Sequence, residues 1–438
     1  MQLPFDPQHL YAEHLARLRD AYALALEQTG WDAVVIHSGS PLKRSQFDDQ
    51  YWPLRPVPHF HHWLPLTETD AALLVVPGHT PQLLRVQASS YWEKPLDQPI
   101  SHVWPHFIQH TLTDVADVAR HLPQQRVAFI GEDLTRASIW QLPQNAVNPH
   151  DLLIKLDALR VHKSAYEVAC LAEANRLAAA GHNVLREAFL AGDTSELDLH
   201  LAYLRTTQQD DPETPYKNIV ALGQNAATLH HIAYGRAPTN AGSLLVDAGA
   251  TCLGYASDIT RTWTRGNTHG VDVFAALVQG LETLQQRLCQ AVRVGHPYEE
   301  LHEDAHRQVT ELLCDLQVFL CNPPEALAAK LSRAFLPHGL GHSLGLQCHD
   351  VGCALVKPRA DNPWLRNTST ISEGQVFTIE PGVYFIPALL EPLRHGPQAH
   401  LVDWRLVDQL SPLGGVRIED DVEVLASGVR NLTREVLK

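Results

Sequence analysis

The sequence predicts an α+β protein of two domains, an α/β domain over residues 1–155 and a larger domain of helices and hairpins over 156–438. Three observations predict it. A chain of 438 residues is too long for one ordinary hydrophobic core. Short β-branched runs alternate with helical stretches in the first third. Beyond it, helices and strand-like runs come in blocks, the pattern of an α+β architecture.

Residues 8–29 repeat apolar side chains at helical spacing, and "WDAVVIHSG" (31–39) reads as a buried strand ending in a turn. "AALLVVPG" (71–78), "PQLLRV" (81–86) and "RVAFIGED" (126–133) are further short strands between turn residues. Helical segments fit 113–122 and 134–141. "LPQNAVNPHD" (142–151) carries two prolines and three Asn or Asp residues and is the expected linker. A long amphipathic stretch follows over 159–192, with Gly192 as its stop. Further helices fit 195–208, 272–293, 298–315 and 324–333. Strands fit 217–222, 243–247, 255–264, 375–380 and 416–424.

The formal net charge of −15 makes phosphate backbones and anionic lipid poor partners, so neither nucleic acid nor membrane is expected. No apolar run approaches the roughly 20 residues of a spanning helix. The opening "MQLPFDPQHLYAEHLARL" lacks the basic and apolar regions of a signal peptide. Seven scattered cysteines with no C-x-x-C pair read as reduced thiols, and the expected location is cytoplasmic. With 26 histidines, a lone one carries little information; only constellations count.

"HGLGHSLGLQCHD" (338–350) contains G-x-S-x-G, the pattern of a serine hydrolase with Ser343 as nucleophile. That elbow needs a buried strand before the serine and a helix after it. A proline and two glycines precede Ser343, and Gly345 and Gly352 follow, so the serine reading fails. His338 and His342 are spaced as in a helical zinc motif, but the intervening glycines oppose a helix and the glutamate is missing. These histidines must act from an extended segment.

Carboxylates in apolar strands supply the partners. "SLLVDAGATCLGYASDITRTW" (243–263) places Asp247 at the end of one strand and Asp258 in the next. Capping, or pairing with the nearby Arg261 or Arg265, would explain either one alone. "VFTIEPGVYF" (376–385) and "GGVRIEDDVEV" (414–424) repeat the oddity with Glu380 and Glu419. Four inward carboxylates with His342 would repel one another unless cations neutralised them. Two divalent metals satisfy the charge, and oxygen donors with one imidazole suit Mn²⁺ or a similar ion.

At these residues the chain resembles the pita-bread metallopeptidases: methionine aminopeptidase, aminopeptidase P, prolidase and creatinase. Asp247, Asp258, His342, Glu380 and Glu419 match the family's motifs in order. "YAEHLARL", "FDDQYWP", "TPYKNIVAL", "LHH" and "PHGLGHSLGLQCHD" resemble bacterial prolidases, which cleave Xaa-Pro dipeptides, and the related organophosphorus acid anhydrolases. The resemblance implies an N-terminal creatinase-like α/β domain, a C-terminal pita-bread domain and a homodimer. The sequence departs from the subgroup at Cys348 (usually valine), Cys353 (glycine), His231 (tyrosine) and Asp421 (asparagine).

The resemblance also implies a mechanism. Asp247 chelates one ion, His342 and Glu380 hold the other, and Asp258 and Glu419 bridge them. The ions are expected to be Mn²⁺, with Co²⁺ and Zn²⁺ as alternatives. Hydroxide formed between them attacks a dipeptide ending in proline. Glu380 shuttles the proton. His349 and His230 hydrogen-bond the intermediate or the substrate, and His338 shapes the proline pocket. Arg366 and Arg417 are candidates for the substrate carboxylate. Tyr216 and Leu229 line the pocket, with Tyr298 a lesser candidate, and Asp49 reaches across the dimer to the substrate amine. Aminopeptidase P and phosphotriester hydrolase activity are the alternatives. A non-enzymatic peptide-binding protein predicts lost ligands, and none is lost.

Overall fold

The structure, a computed structural model, describes residues 3–87 and 100–437. The chain forms two compact units. One runs to Arg160 and includes Ser164–Ala169; the other takes Val161–Lys163 and the chain from Cys170 onward.

The first unit opens with the helix Pro7–Thr29. Asp6 caps it by accepting from the Gln8 amide at 3.0 Å, and Gly30, at φ 75°, ends it in the left-handed region. Its sheet holds β1 (Ala33–His37), β2 (Ala72–Val75), β3 (Gln82–Val86), β4 (Ile108–Leu112) and β5 (Val127–Ile130) in the order β4-β3-β2-β1-β5. Strand β1 is buried along its whole length, as its unbroken apolar run predicts. Strand β4 was not expected: it is a sheet edge, mostly exposed, and lacks apolar alternation. The stretch 142–151 is no open linker. It contains the 3₁₀ turn Gln144–Ala146 and begins the helix His150–Leu159.

The amphipathic stretch becomes the helix Ala165–Ala191, which belongs to the second unit from Cys170 onward, and Gly192, at φ 111°, follows it. The helix Glu196–Thr207 starts at Ser195, whose hydroxyl accepts from the Asp198 amide at 3.1 Å. The strands are β6 (Ile219–Leu222), β7 (Ser243–Asp247), β8 (Thr251–Cys252), β9 (Tyr255–Ala256), β10 (Thr260–Thr264), β11 (Val376–Ile379), β12 (Gly382–Tyr384), β13 (Gly415–Arg417), β14 (Asp420–Leu425) and β15 (Gly428–Asn431). They form sheets ordered β10-β7-β6 and β11-β14-β15, with the antiparallel pairs β12-β13 and β8-β9. The helices His269–Ala291 and Tyr298–Asp315 cover this framework. The first buries Phe274, Leu277, Leu281, Leu284 and Leu288, a stripe at three- and four-residue spacing. It packs in one core with Phe377, Ile379, Val416 and Val422. No helix among the described residues is long and apolar enough to cross a membrane.

Candidate metal centre

Strand register gathers the carboxylates. Asp247 ends β7 opposite Thr260 of β10, and Thr260 bridges to Glu419, which sits in the break between β13 and β14. The "GHSLG" segment lies antiparallel to β11, with Ser343 opposite Phe377. The Thr378 amide donates to the His342 carbonyl at 3.0 Å, and the Glu380 amide donates to the Leu340 carbonyl at 2.8 Å. These two ladders bring His342 Nε2 to 3.4 Å from Asp258 Oδ2 and 3.6 Å from Glu380 Oε1. Asp258, His342 and Glu419 offer donor atoms within 4.8 Å of one another. All five residues are buried except Glu380, which is half-buried.

The chain orients each donor. His342 Nδ1–H donates to the Ser343 carbonyl at 3.1 Å, which leaves Nε2 to face the carboxylates. Tyr216 donates its hydroxyl between Asp247 at 2.7 Å and Asp258 at 2.5 Å. Arg417 donates to Asp247 Oδ2 and to the Tyr384 hydroxyl, both at 2.7 Å. Tyr384 in turn lies 2.9 Å from His338 Nε2, and His338 Nδ1 donates to the Gly339 carbonyl at 2.8 Å. A continuous chain of hydrogen bonds therefore links Asp247 to His338. Asp421 Oδ2 accepts from the Asp258 amide at 3.0 Å and from Asn175 at 2.8 Å, pinning the turn that carries Asp258.

The electrostatics fit a site built for cations. Burial raises the pKa of Asp247 despite Arg417. Burial, and then the charges of Asp258, Glu380 and Asp247, hold Glu419 well above the usual carboxyl range. Burial lifts Glu380 to about 7 against the pull of His342 and Arg417. For His342, burial alone would lower the pKa; the Asp258 hydrogen bond and the Glu380 charge outweigh it and lift it to about 9. Without a cation these groups share protons that two divalent ions would replace. The donor set of four carboxylates and one imidazole fits such ions. Another buried group, His14–His62–Glu167, lies in the first unit, where Arg17, 3.6 Å from Glu167, already supplies a positive charge.

The sequence model of Metallopeptidase family M24 matches residues 169–426, and that of the Xaa-Pro dipeptidase N-terminal domain matches residues 9–157. The chain belongs to metallopeptidase family M24. It is 38% identical to the Xaa-Pro dipeptidase of Pseudoalteromonas atlantica over 98% of both chains. It is 41% identical to the Xaa-Pro dipeptidase of Marinobacter nauticus over 98% of this chain and 99% of that one. Among solved structures, aminopeptidase P II from Yersinia pestis superposes with a TM-score of 0.73 at 23% identity, covering 98% of this chain and 97% of that one. The Pseudomonas aeruginosa aminopeptidase PepP gives 0.75 at 23% identity over 99% and 96%. At that identity the likeness shows the fold alone, and it bears out the pita-bread architecture.

Within this M24 site, the serine pattern has a packing origin. A side chain at Gly341 would collide with the Thr378 carbonyl and the Tyr298 hydroxyl, and one at Gly345 with the Asp350 carboxylate. Both glycines permit close approach, and no helix follows Ser343. The Ser343 hydroxyl is buried and bonds to no histidine or carboxylate among the described residues. Arginine pairing also differs from the simple expectation. Asp247 pairs with Arg417, whereas Arg261 pairs with Asp420 at 2.8 Å and Arg265 serves backbone carbonyls.

The remaining candidates are distributed unevenly. The His349 ring lies 4.4 Å from that of His342, and burial, His342 and Arg366 lower its pKa to about 4. His338 is lowered to about 3 by burial and Arg417, and so is neutral. His230 is exposed. Leu229 is half-buried. Arg366 is exposed and forms no ion pair among the described residues. Tyr298 is fully buried and donates to the Thr378 carbonyl at 2.9 Å. Asp49 is exposed in the first unit, where its carboxylate accepts from Gln50. His231, one of the departures, pairs with Glu196 at 2.8 Å. Tyr384 was missed. Its sequence signal was a tyrosine in an apolar strand four residues after Glu380, where a buried hydroxyl needs a partner.

A pH dependence follows for the metal-free M24 chain. Glu380 and His342 both titrate above their ordinary values in the folded state, at about 7 and about 9. The stability each contributes is complete below its unfolded pKa. It is lost as pH rises through about 7 for Glu380 and about 9 for His342. The Tm of metal-free protein should therefore fall as pH rises from about 5 to about 9. The gain in Tm on adding a divalent ion should widen over the same range, because ligation needs deprotonated donors. Thermal melts with and without chelator check this; a flat metal-free profile contradicts it.

Proposed function

We propose that this chain hydrolyses Xaa-Pro dipeptides, cutting before a C-terminal proline, with two divalent ions held by Asp247, Asp258, His342, Glu380 and Glu419. The observation that carries the reading is the intact donor cluster in a chain whose near-full-length relatives bear the name Xaa-Pro dipeptidase. Asp247 would hold one ion and His342 and Glu380 the other, with Asp258 and Glu419 placed to serve both. The carboxylate-rich set suits Mn²⁺, with Co²⁺ and Zn²⁺ as alternatives. When bound, such ions polarise the scissile carbonyl and lower the pKa of a water between them.

The side chains do the rest. Glu380 would accept the proton that the attacking water gives up and pass it to the proline nitrogen as the C–N bond breaks. His349 and His230 hydrogen-bond the reacting carbonyl oxygen or the bound dipeptide. Proline forms a tertiary amide with no N–H, so its pocket needs shape and apolar walls more than acceptors. His338, neutral and fixed through Tyr384, forms that wall with Tyr216 and Leu229. Arg366 takes the substrate carboxylate. Arg417 is committed to Asp247 and Tyr384, so it acts on the ligand set. The chain works as a homodimer, with Asp49 of one copy holding the substrate amine bound by the other. Seven scattered cysteines with no C-x-x-C pair favour a reducing, cytoplasmic location.

The test is a panel of Xaa-Pro dipeptides, with proline-free dipeptides as controls, against Mn²⁺-loaded and chelator-stripped protein. Cleavage of Xaa-Pro alone, lost on stripping and restored by Mn²⁺, is expected; full activity in stripped protein overturns the reading. On the same substrates Ser343→Ala should change kcat by less than about tenfold, because the hydroxyl has no chemical role. A dead Ser343→Ala protein with its metal content intact would restore the serine mechanism.

A further inference from the structure

Cys348 stands apart from the other six cysteines. Its thiol donates to Asp258 Oδ2 at 3.0 Å, and His342 Nε2 lies 3.4 Å from that same oxygen. Cys348, His342 and His349 offer donor atoms within 4.8 Å of one another. Two donors bonded to one ion at about 2.0–2.3 Å lie no more than about 4.6 Å apart. Cys348 thus stands at hydrogen-bond distance from Asp258 and within 4.8 Å of His342, two of the residues proposed above to hold an ion. At the other end, Asp247 is contacted by the hydroxyl of Tyr216 and the guanidinium of Arg417.

We infer that Cys348 is a further metal ligand, joining Asp258 and His342, and that it makes this end of the centre selective for a borderline-soft ion, Zn²⁺ or Co²⁺, over Mn²⁺. Thiolate and imidazole favour such ions, whereas carboxylates alone suit harder ones. The two positions therefore differ: an oxygen-rich one at Asp247 and a mixed oxygen, nitrogen and sulfur one at Cys348. Ligation replaces the S–H bond with a metal–sulfur bond and releases the proton to solvent, with no change of oxidation state. The inference rests on the proposed ligand role of Asp258 and His342.

The experiment uses the full chain, stripped and then titrated with Co²⁺ under reducing conditions. Wild type should show a near-ultraviolet thiolate-to-cobalt charge-transfer band. Cys348→Val should bind Co²⁺ without that band, and Cys348→Ser, the closer match in size and polarity, should behave likewise. After dialysis against equal Zn²⁺ and Mn²⁺, the Zn²⁺:Mn²⁺ ratio retained should fall about tenfold or more in either variant. Saturated Co²⁺ binding with no sulfur band in wild type overturns the thiol ligand and leaves the proposed function standing. A band that persists in the variants, or an unchanged metal ratio, overturns it as well. Failure to bind Co²⁺ at all overturns both readings.

Discussion

Glu419→Gln is expected to cost on the order of a thousandfold in kcat/KM for Leu-Pro while raising the Tm of the metal-free protein. The two effects have one cause. Glu419 is 1% exposed, and its pKa is held well above the usual range by burial and by the charges of Asp258, Glu380 and Asp247. Without cations it resists ionisation in the fold more than in the unfolded chain, and that difference opposes folding as pH rises. Glutamine removes the titration and keeps the hydrogen bond, because its carbonyl can accept from Thr260 as Glu419 Oε2 does at 2.6 Å. It also removes a bridging anion, so metal content and turnover fall together. Calorimetry with and without chelator, beside a metal assay, reads both. A lower metal-free Tm in the variant would make Glu419 a structural acid.

Asp258→Asn should behave differently, and the contrast sharpens the test. Burial would raise the Asp258 pKa, but hydrogen bonds from His342, Cys348 and Tyr216 outweigh it and hold it below the usual range. Its carboxylate is already satisfied in the metal-free fold. The amide should therefore lose activity and metal-free stability together, whereas Glu419→Gln should separate them.

The five candidate donors were legible in the sequence because a charge within an apolar strand is costly wherever it occurs, and four such carboxylates cannot be explained one at a time. What escaped depends on register. Nothing in "TPYKN" says that the Tyr216 hydroxyl reaches both Asp247 and Asp258. Nothing in "GGVRIE" says that Arg417 is consumed by Asp247 and Tyr384 and so is not free for substrate. Both facts arise from pairings between segments far apart in the chain. The same holds for G-x-S-x-G: its glycines answer to Thr378, Tyr298 and Asp350, residues that no local pattern connects to Ser343. Among the elements, β4 was invisible because an exposed edge strand need not alternate, and the break at Ile418-Glu419 hid inside one apolar run.

Arg366→Ala is expected to reduce kcat/KM for Leu-Pro by about 2–4 kcal/mol, roughly 30-fold to a thousandfold. A dipeptide ends at proline, so its carboxylate lies one residue beyond the scissile bond. A guanidinium there makes a charge-assisted bond that a longer peptide, continuing as a neutral amide, cannot use. Arg366 is the arginine available for this. It is exposed, it forms no ion pair among the described residues, and its charge reaches His349 beside His342. Arg417 is buried and already bound. The loss should be much smaller for an uncharged Leu-Pro amide, and the wild type should cleave a tripeptide Xaa-Pro-Yaa poorly. The measurement is kcat/KM on the dipeptide, its amide and the tripeptide, in wild type and variant. Equal losses on all three would mean that Arg366 supports the fold and not the carboxylate. A wild type that prefers the tripeptide would point to aminopeptidase P activity.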